Sequence, residues 1–126
     1  MQAVGVRALL FAALTLSAAP CAAAAPGEDE TVAKALYASG VMAAMEIACK
    51  LRDTSDFAFA KVFLGSQPGG FTGSRYTAAF AQGLASGGEV EQAPDFPAIC
   101  ATAVPKAIKA LRAKREALMR AAPRAE

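Results

Sequence analysis

Apolar positions recur at helical spacing in four separate stretches of this chain. From about Thr31 to Arg52, Val32, Leu36, Gly40, Ala43, Ile47 and Leu51 fall three or four residues apart and define one helix face. Tyr37, Val41, Met45 and Ala48 widen that face. Lys34, Glu46 and Lys50 then occupy the polar side, the last two as an i,i+4 pair of favourable order. Glu28-Asp29-Glu30, just ahead, set negative charge where the helix dipole favours it. Asp53-Thr54-Ser55-Asp56 restarts the chain. Asp53 or Thr54 caps a short second helix carrying Phe57, Phe59, Val62, Phe63 and Leu64, and Gly65 ends it. This phenylalanine-rich helix is expected to fill the core against the first.

Residues Gly65 to Gly73 read as a loop, and Ser74 caps a third helix to about Ser86, with Tyr76, Phe80 and Leu84 at helical spacing. Gly87-Gly88 is its stop signal. A second loop, Glu89 to Pro94, leads to Asp95-Phe96-Pro97, which opens a final helix reaching about Ala122. Ile99, Cys100, Val104, Ile108, Leu111 and Leu118 lie along it, and Pro105 should bend or break it. No alternating strand pattern competes. The expected fold is all-α, a small bundle of about four helices.

The beginning of the chain follows a different rule. Met1 to Arg7 carry one positive charge, Ala8 to Leu16 are an apolar run, and Ser17 to Ala25 are mostly small. That order is what signal peptidase reads, so residues 1–24 are expected to be a secretory signal cleaved after Ala24, leaving one helical domain over residues 25–126. The apolar run falls short of the roughly 20 residues a bilayer span needs. Lipidation at Cys21 is the alternative, but Leu16 stands too far back and Pro20 occupies the place of Gly or Ala. The expected location is periplasmic or secreted.

Export changes what the cysteines mean. Without Cys21, only Cys49 and Cys100 remain, an even pair in an oxidising compartment, which reads as one disulfide stapling the bundle. Closing a loop of about 50 residues stabilises the fold by roughly 4 kcal/mol in the chain-entropy account. The charge is also unevenly placed. Pro26 to Pro105 hold five basic and nine acidic residues, whereas Lys106 to Glu126 hold seven basic and two acidic. The chain is thus a mildly acidic body with a basic tail, and Lys106, Lys109, Arg112, Arg115 and Arg120 around Ile108, Leu111 and Leu118 form a candidate surface-binding face.

Candidate chemistry is sparse. The chain has no histidine, which removes the commonest general base, the Ser-His and Cys-His nucleophile pairs and most zinc and haem sites. No Ser-x-x-Lys motif occurs, and the acidic residues stand at helix starts or in loops, where capping accounts for them. Asp53-Thr54-Ser55-Asp56 lacks the alternating ligands, central glycine and distal glutamate of a calcium loop. Gly69 to Arg75 is the most distinctive local feature. Gly70, Gly73, Ser74 and Arg75 there form a candidate small-anion site at a helix start, without the Lys-Ser/Thr ending of a phosphate loop.

Cys49 and Cys100, the phenylalanine-bearing helices between them and the basic stretch Lys106 to Arg120 resemble the layout of small periplasmic acid-stress chaperones of the HdeA type. The chain departs from that family's aromatic-Cys start, since Ala48-Cys49-Lys50 stands here. The resemblance implies chaperone activity without a cofactor. The function expected is an exported, non-enzymatic helical protein that binds a protein partner, another envelope protein, in a chaperone-like or inhibitor-like way. No nucleic acid, metal or cofactor is expected. Envelope or membrane association through the basic helix is the alternative, followed by small-anion binding at the Gly69–Arg75 turn.

Overall fold

The computed structural model describes residues 26–122; the expected signal segment and Cys21 lie outside them. Six helices follow in order: α1 Pro26–Ala48, α2 Ser55–Gly65, α3 Gly70–Gly73, α4 Thr77–Gly88, α5 Phe96–Ala101 and α6 Ala103–Ala121, with a 3-10 turn at Glu89–Gln92 between α4 and α5. Among the described residues there is no strand. The fold is all-α, and α1, α2, α4 and α6 are the four longer helices of the expected bundle. Cys49 and Cys100 are joined as a disulfide across 51 residues, with their Cα atoms 5.5 Å apart.

α1 is the hub, packing against α4, α6 and α2. It begins at Pro26, five residues before the expected start, because proline is pre-set for the first helical position. It ends when Lys50 adopts a left-handed backbone, φ 55°, and the Leu51 amide donates to the Glu46 carbonyl at 2.9 Å. That is the Schellman closure, here with lysine where glycine is usual. Lys50 therefore stands outside the helix, and the expected Glu46–Lys50 pair on one helical face does not exist.

The α1–α4 contact is made by glycines. A Cβ on Gly40 would run into the Phe80 carbonyl oxygen, one on Gly83 into the Tyr37 carbonyl oxygen, and one on Gly87 into the Val41 carbonyl oxygen. α4 ends at Gly88, within the Gly87-Gly88 pair expected to stop it, and Gly87 also serves the close approach. Ser74 does not cap α4. Its hydroxyl accepts a hydrogen bond from the Tyr76 amide at 3.0 Å, and the helix starts three residues later at Thr77.

Pro105 acts as expected. A proline ring clashes with the carbonyl four residues back, here Ala101, the last residue of α5. The chain breaks at Thr102, with φ −123° and ψ −66°, and Pro105 then lies in the first turn of α6, where its missing N–H is not needed.

Two clusters form the core. Val32, Leu36, Ala43, Ala60, Leu64, Tyr76 and Phe80 make one, and Met42, Met45, Val104 and Ile108 make the other, with Cys49, Leu51 and Leu111 packed against it. The phenylalanines of α2 fill the core only in part: Phe57 and Phe63 pack against the first cluster from its edge. Phe57, Phe59 and Phe63 are half-buried, Val62 is 74% exposed, and Ala60 and Leu64 are the α2 apolar residues inside. Ile47 is likewise exposed, at 58%.

Substitution Gly83→Ala should destabilise the fold by about 1–3 kcal/mol or more, because neither backbone can retreat without unpacking a core. Gly65→Ala, where nothing lies within 4 Å of the added carbon, should be neutral or gain up to about 1 kcal/mol. Urea unfolding of both variants checks the contrast.

Candidate functional site

Three helices each carry one charged residue in register with their buried stripe. On α1, Ala35, Ser39, Met42 and Glu46 follow at i, i+4, i+7 and i+11, and none exceeds 1% exposure. On α6, Val104, Ile108, Leu111 and Arg115 repeat the same spacing, ending in a buried arginine. On α2, Asp56 opens the stripe that Ala60 and Leu64 continue, and it is fully buried. The three stripes converge and bring Glu46, Asp56 and Arg115 together, with Arg112 beside them.

Asp56 is the acceptor at the centre. Its Oδ1 accepts from Arg115 Nη1 at 2.6 Å and Arg112 Nε at 3.2 Å, and its Oδ2 accepts from Arg112 Nη2 at 2.5 Å. Arg112 Nη2 also reaches Asp53 Oδ2 at 3.4 Å and stands 3.6 Å from Glu46 Oε2. The Arg115 guanidinium lies over the Phe59 ring, 4.4 Å from its centroid, so the cation is covered by a π face on one side and a carboxylate on another. Asp53 turns the chain into α2 by accepting the Ser55 amide at 2.9 Å.

The two buried carboxyls titrate in opposite directions. Burial works against the Asp56 carboxylate, but hydrogen bonds from Arg112 and Glu46 and the charges of Arg115 and Arg112 outweigh it and hold its pKa down at about 2. Glu46 is pushed up to about 8, first by burial, then by its hydrogen bond to Asp56 and by the Asp56 charge. The stabilising effect of Asp56 is therefore fully present above its ordinary 3.8 and is lost as pH falls towards 2. A protonated carboxyl against a carboxylate is an arrangement that can share and move one proton. Here both groups are enclosed, so solutes do not reach them in this conformation.

This cluster corrects three expectations from sequence. Glu46 is inside rather than on the polar face of α1. Asp56 stands in the first turn of α2 as expected, but it is a buried ion-pair acceptor, which capping does not account for. Arg112 is half-buried and Arg115 buried, so they are not part of a surface-binding face; Lys106, Lys109 and Arg120 remain exposed. Hydrophobic periodicity alone did not find the cluster, because it assigns every charged residue to solvent. The signal that was there is register: each charge stands three, four or eleven residues from a core position.

The other sequence candidates are placed as follows. Arg75 donates through Nη1 alone to both oxygens of Asp29, at 2.9 and 2.8 Å, and the Tyr76 hydroxyl donates to the same carboxylate at 3.1 Å. An anion at this turn would have to compete with the Asp29 carboxylate for the Arg75 charge. Gly70 lies in left-handed backbone, φ 73°, and Gly70 and Gly73 bound the single turn of α3, while Ser74 is buried. Among the described residues, no group of three or more His, Cys, Asp or Glu is placed to hold a metal ion, and no helix is long and apolar enough to cross a membrane. Comparison with protein-family models, with curated proteins and with solved structures finds no match.

Removing the Asp56 carboxylate leaves two guanidiniums facing a low-dielectric interior. Asp56→Asn should destabilise by about 3–5 kcal/mol, whereas Lys106→Ala or Lys109→Ala on the exposed side should change stability by less than about 0.5 kcal/mol. Denaturant midpoints at neutral pH measure both.

Proposed function

We propose that the chain is an exported, non-catalytic helical module that binds a protein partner, as a chaperone or an inhibitor does. One observation carries this reading: the candidate ligand-holding arginines and the cysteines are engaged with partners within the chain. Arg75 is paired with Asp29, Arg112 and Arg115 are paired with Asp56, and the two cysteines are joined. Beside exposed Lys61 and Thr72, α2 and α3 each present one large apolar side chain outward. Val62 is 74% exposed and Phe71 38%, and Phe71 stands edge-on to the core ring of Phe80 with centroids 6.0 Å apart. A partly exposed aromatic anchored on a packed ring is what a protein interface uses, since little side-chain freedom is lost on binding. The layout shared with HdeA-type chaperones supports the same reading, and the disulfide suits an oxidising compartment.

Envelope association through α6 has less support. With Arg112 and Arg115 turned inward, its outer side offers Lys106, Lys109, Lys114 and Arg120 among Ala110, Ala113 and Ala117. That stripe has cations but no large apolar side chain to insert into lipid.

The test uses the oxidised protein with a photo-crosslinking residue at position 62 or 71 in the periplasm, alongside suppression of model-substrate aggregation at low and neutral pH. The expected result is one or a few discrete adducts, and suppression weakened several-fold by Val62→Ser with Phe71→Ser. Absence of both adducts and suppression contradicts the proposal.

A further inference from the structure

Among the described residues, Glu46 is the one buried group whose partners do not balance when every acid is ionised. It is 1% exposed, and neither carboxyl oxygen accepts a hydrogen bond from any described donor. Arg112 comes no closer than 3.6 Å, beyond hydrogen-bonding range, and directs its Nε and Nη2 donors to Asp56 and Asp53. Glu46 Oε2 and Asp56 Oδ2 flank the same arginine nitrogen, Arg112 Nη2, at 3.6 and 2.5 Å, so the acid beside Glu46 is Asp56. Two carboxylates cannot satisfy each other, because both only accept; a carboxylic acid and a carboxylate can. The charges agree. Arg112 and Arg115 balance Asp53 and Asp56, so the cluster is neutral when Glu46 carries its proton and holds one excess negative charge when it does not.

We propose that Glu46 is a buried carboxylic acid that donates a hydrogen bond to the Asp56 carboxylate, and that this single proton latches the end of α1 to α2 and α6. The charged groups facing it from each packed element are Asp56 of α2, Asp53 of the α1–α2 connection and Arg112 of α6, with Arg115 acting through Asp56. α4 and α5 carry no charged residue. Loss of the proton places two carboxylates face to face without a donor between them, and the junction of the three helices loosens. The latch is thus closed in mildly acidic and neutral solution and released by alkali. It is independent of what the protein binds.

The direction of the pH response follows. The folded chain holds the Glu46 proton to about pH 8, whereas an unfolded chain releases it near 4.5. The stability contributed by the latch is full below about 4.5 and declines as pH climbs towards 8. At the acid end Asp56 limits the fold in the opposite sense, so stability peaks in the mildly acidic range.

Two measurements on the oxidised protein test this. Carbon-13 NMR of the Glu46 side-chain carboxyl, followed from pH 4 to 9.5, is expected to show a midpoint above 7; a midpoint near the ordinary 4.5 overturns the proposal, whatever any variant does. Thermal melting over pH 5 to 9 is expected to fall steadily for the wild type and to be much flatter for Glu46→Gln, whose amide donates to Asp56 without titrating. Parallel pH profiles for the two proteins overturn it as well.

Discussion

The fully buried carboxylate of Asp56 is the constraint around which the rest of the molecule is arranged. A lone ion in that position would cost several kcal/mol in desolvation. Its presence obliges α6 to deliver Arg112 and Arg115 to one place, 56 and 59 residues further along the chain. Arg115 in turn needs Phe59 as a cover on α2, and α1 needs a neutral group where its buried stripe meets the cluster. Each requirement fixes the rotation of a helix about its own axis, which apolar stripes leave loose because neighbouring hydrophobic side chains substitute for one another. The ion pairs specify orientation more than they add net stability.

Two other devices fix what the cluster does not. The Cys49–Cys100 disulfide ties the end of α1 to α5, just before the Thr102 break, and so sets where α6 begins. On the opposite side, Gly40, Gly83 and Gly87 let α1 and α4 come together until each backbone lines the space that side chains would occupy. A covalent tie, an ionic junction and a glycine contact thus hold three different neighbours of α1. A chain of this size has a small core, and a net stability of only 5–15 kcal/mol is usual, so each of these contacts is a sizeable share.

Much of this was legible in the residues. Helical spacing gave the all-α class and the longer helices, the even cysteine pair gave the crosslink, and Pro105 gave the break before α6. What was hidden had a common physical reason. Burial of Glu46, Asp56 and Arg115 depends on partners 10 to 69 residues away, and no local window contains them. Likewise Gly87 reads only as a helix stop from its neighbours; its close approach to the Val41 carbonyl belongs to the packed fold. Val62 and Ile47 show the converse, since apolar spacing placed them inside while nothing among the described residues covers those sides of their helices.

The account stands on the charge pair at the junction, and a double-mutant cycle isolates it. Unfolding free energies of the wild type, Asp56→Ala, Arg115→Ala and the double variant at about pH 6 give the coupling between the two side chains directly. A coupling of about 2 kcal/mol or more is predicted, with the double variant more stable than the sum of the single losses implies. A coupling below about 0.5 kcal/mol, the scatter expected of independent sites, would contradict it.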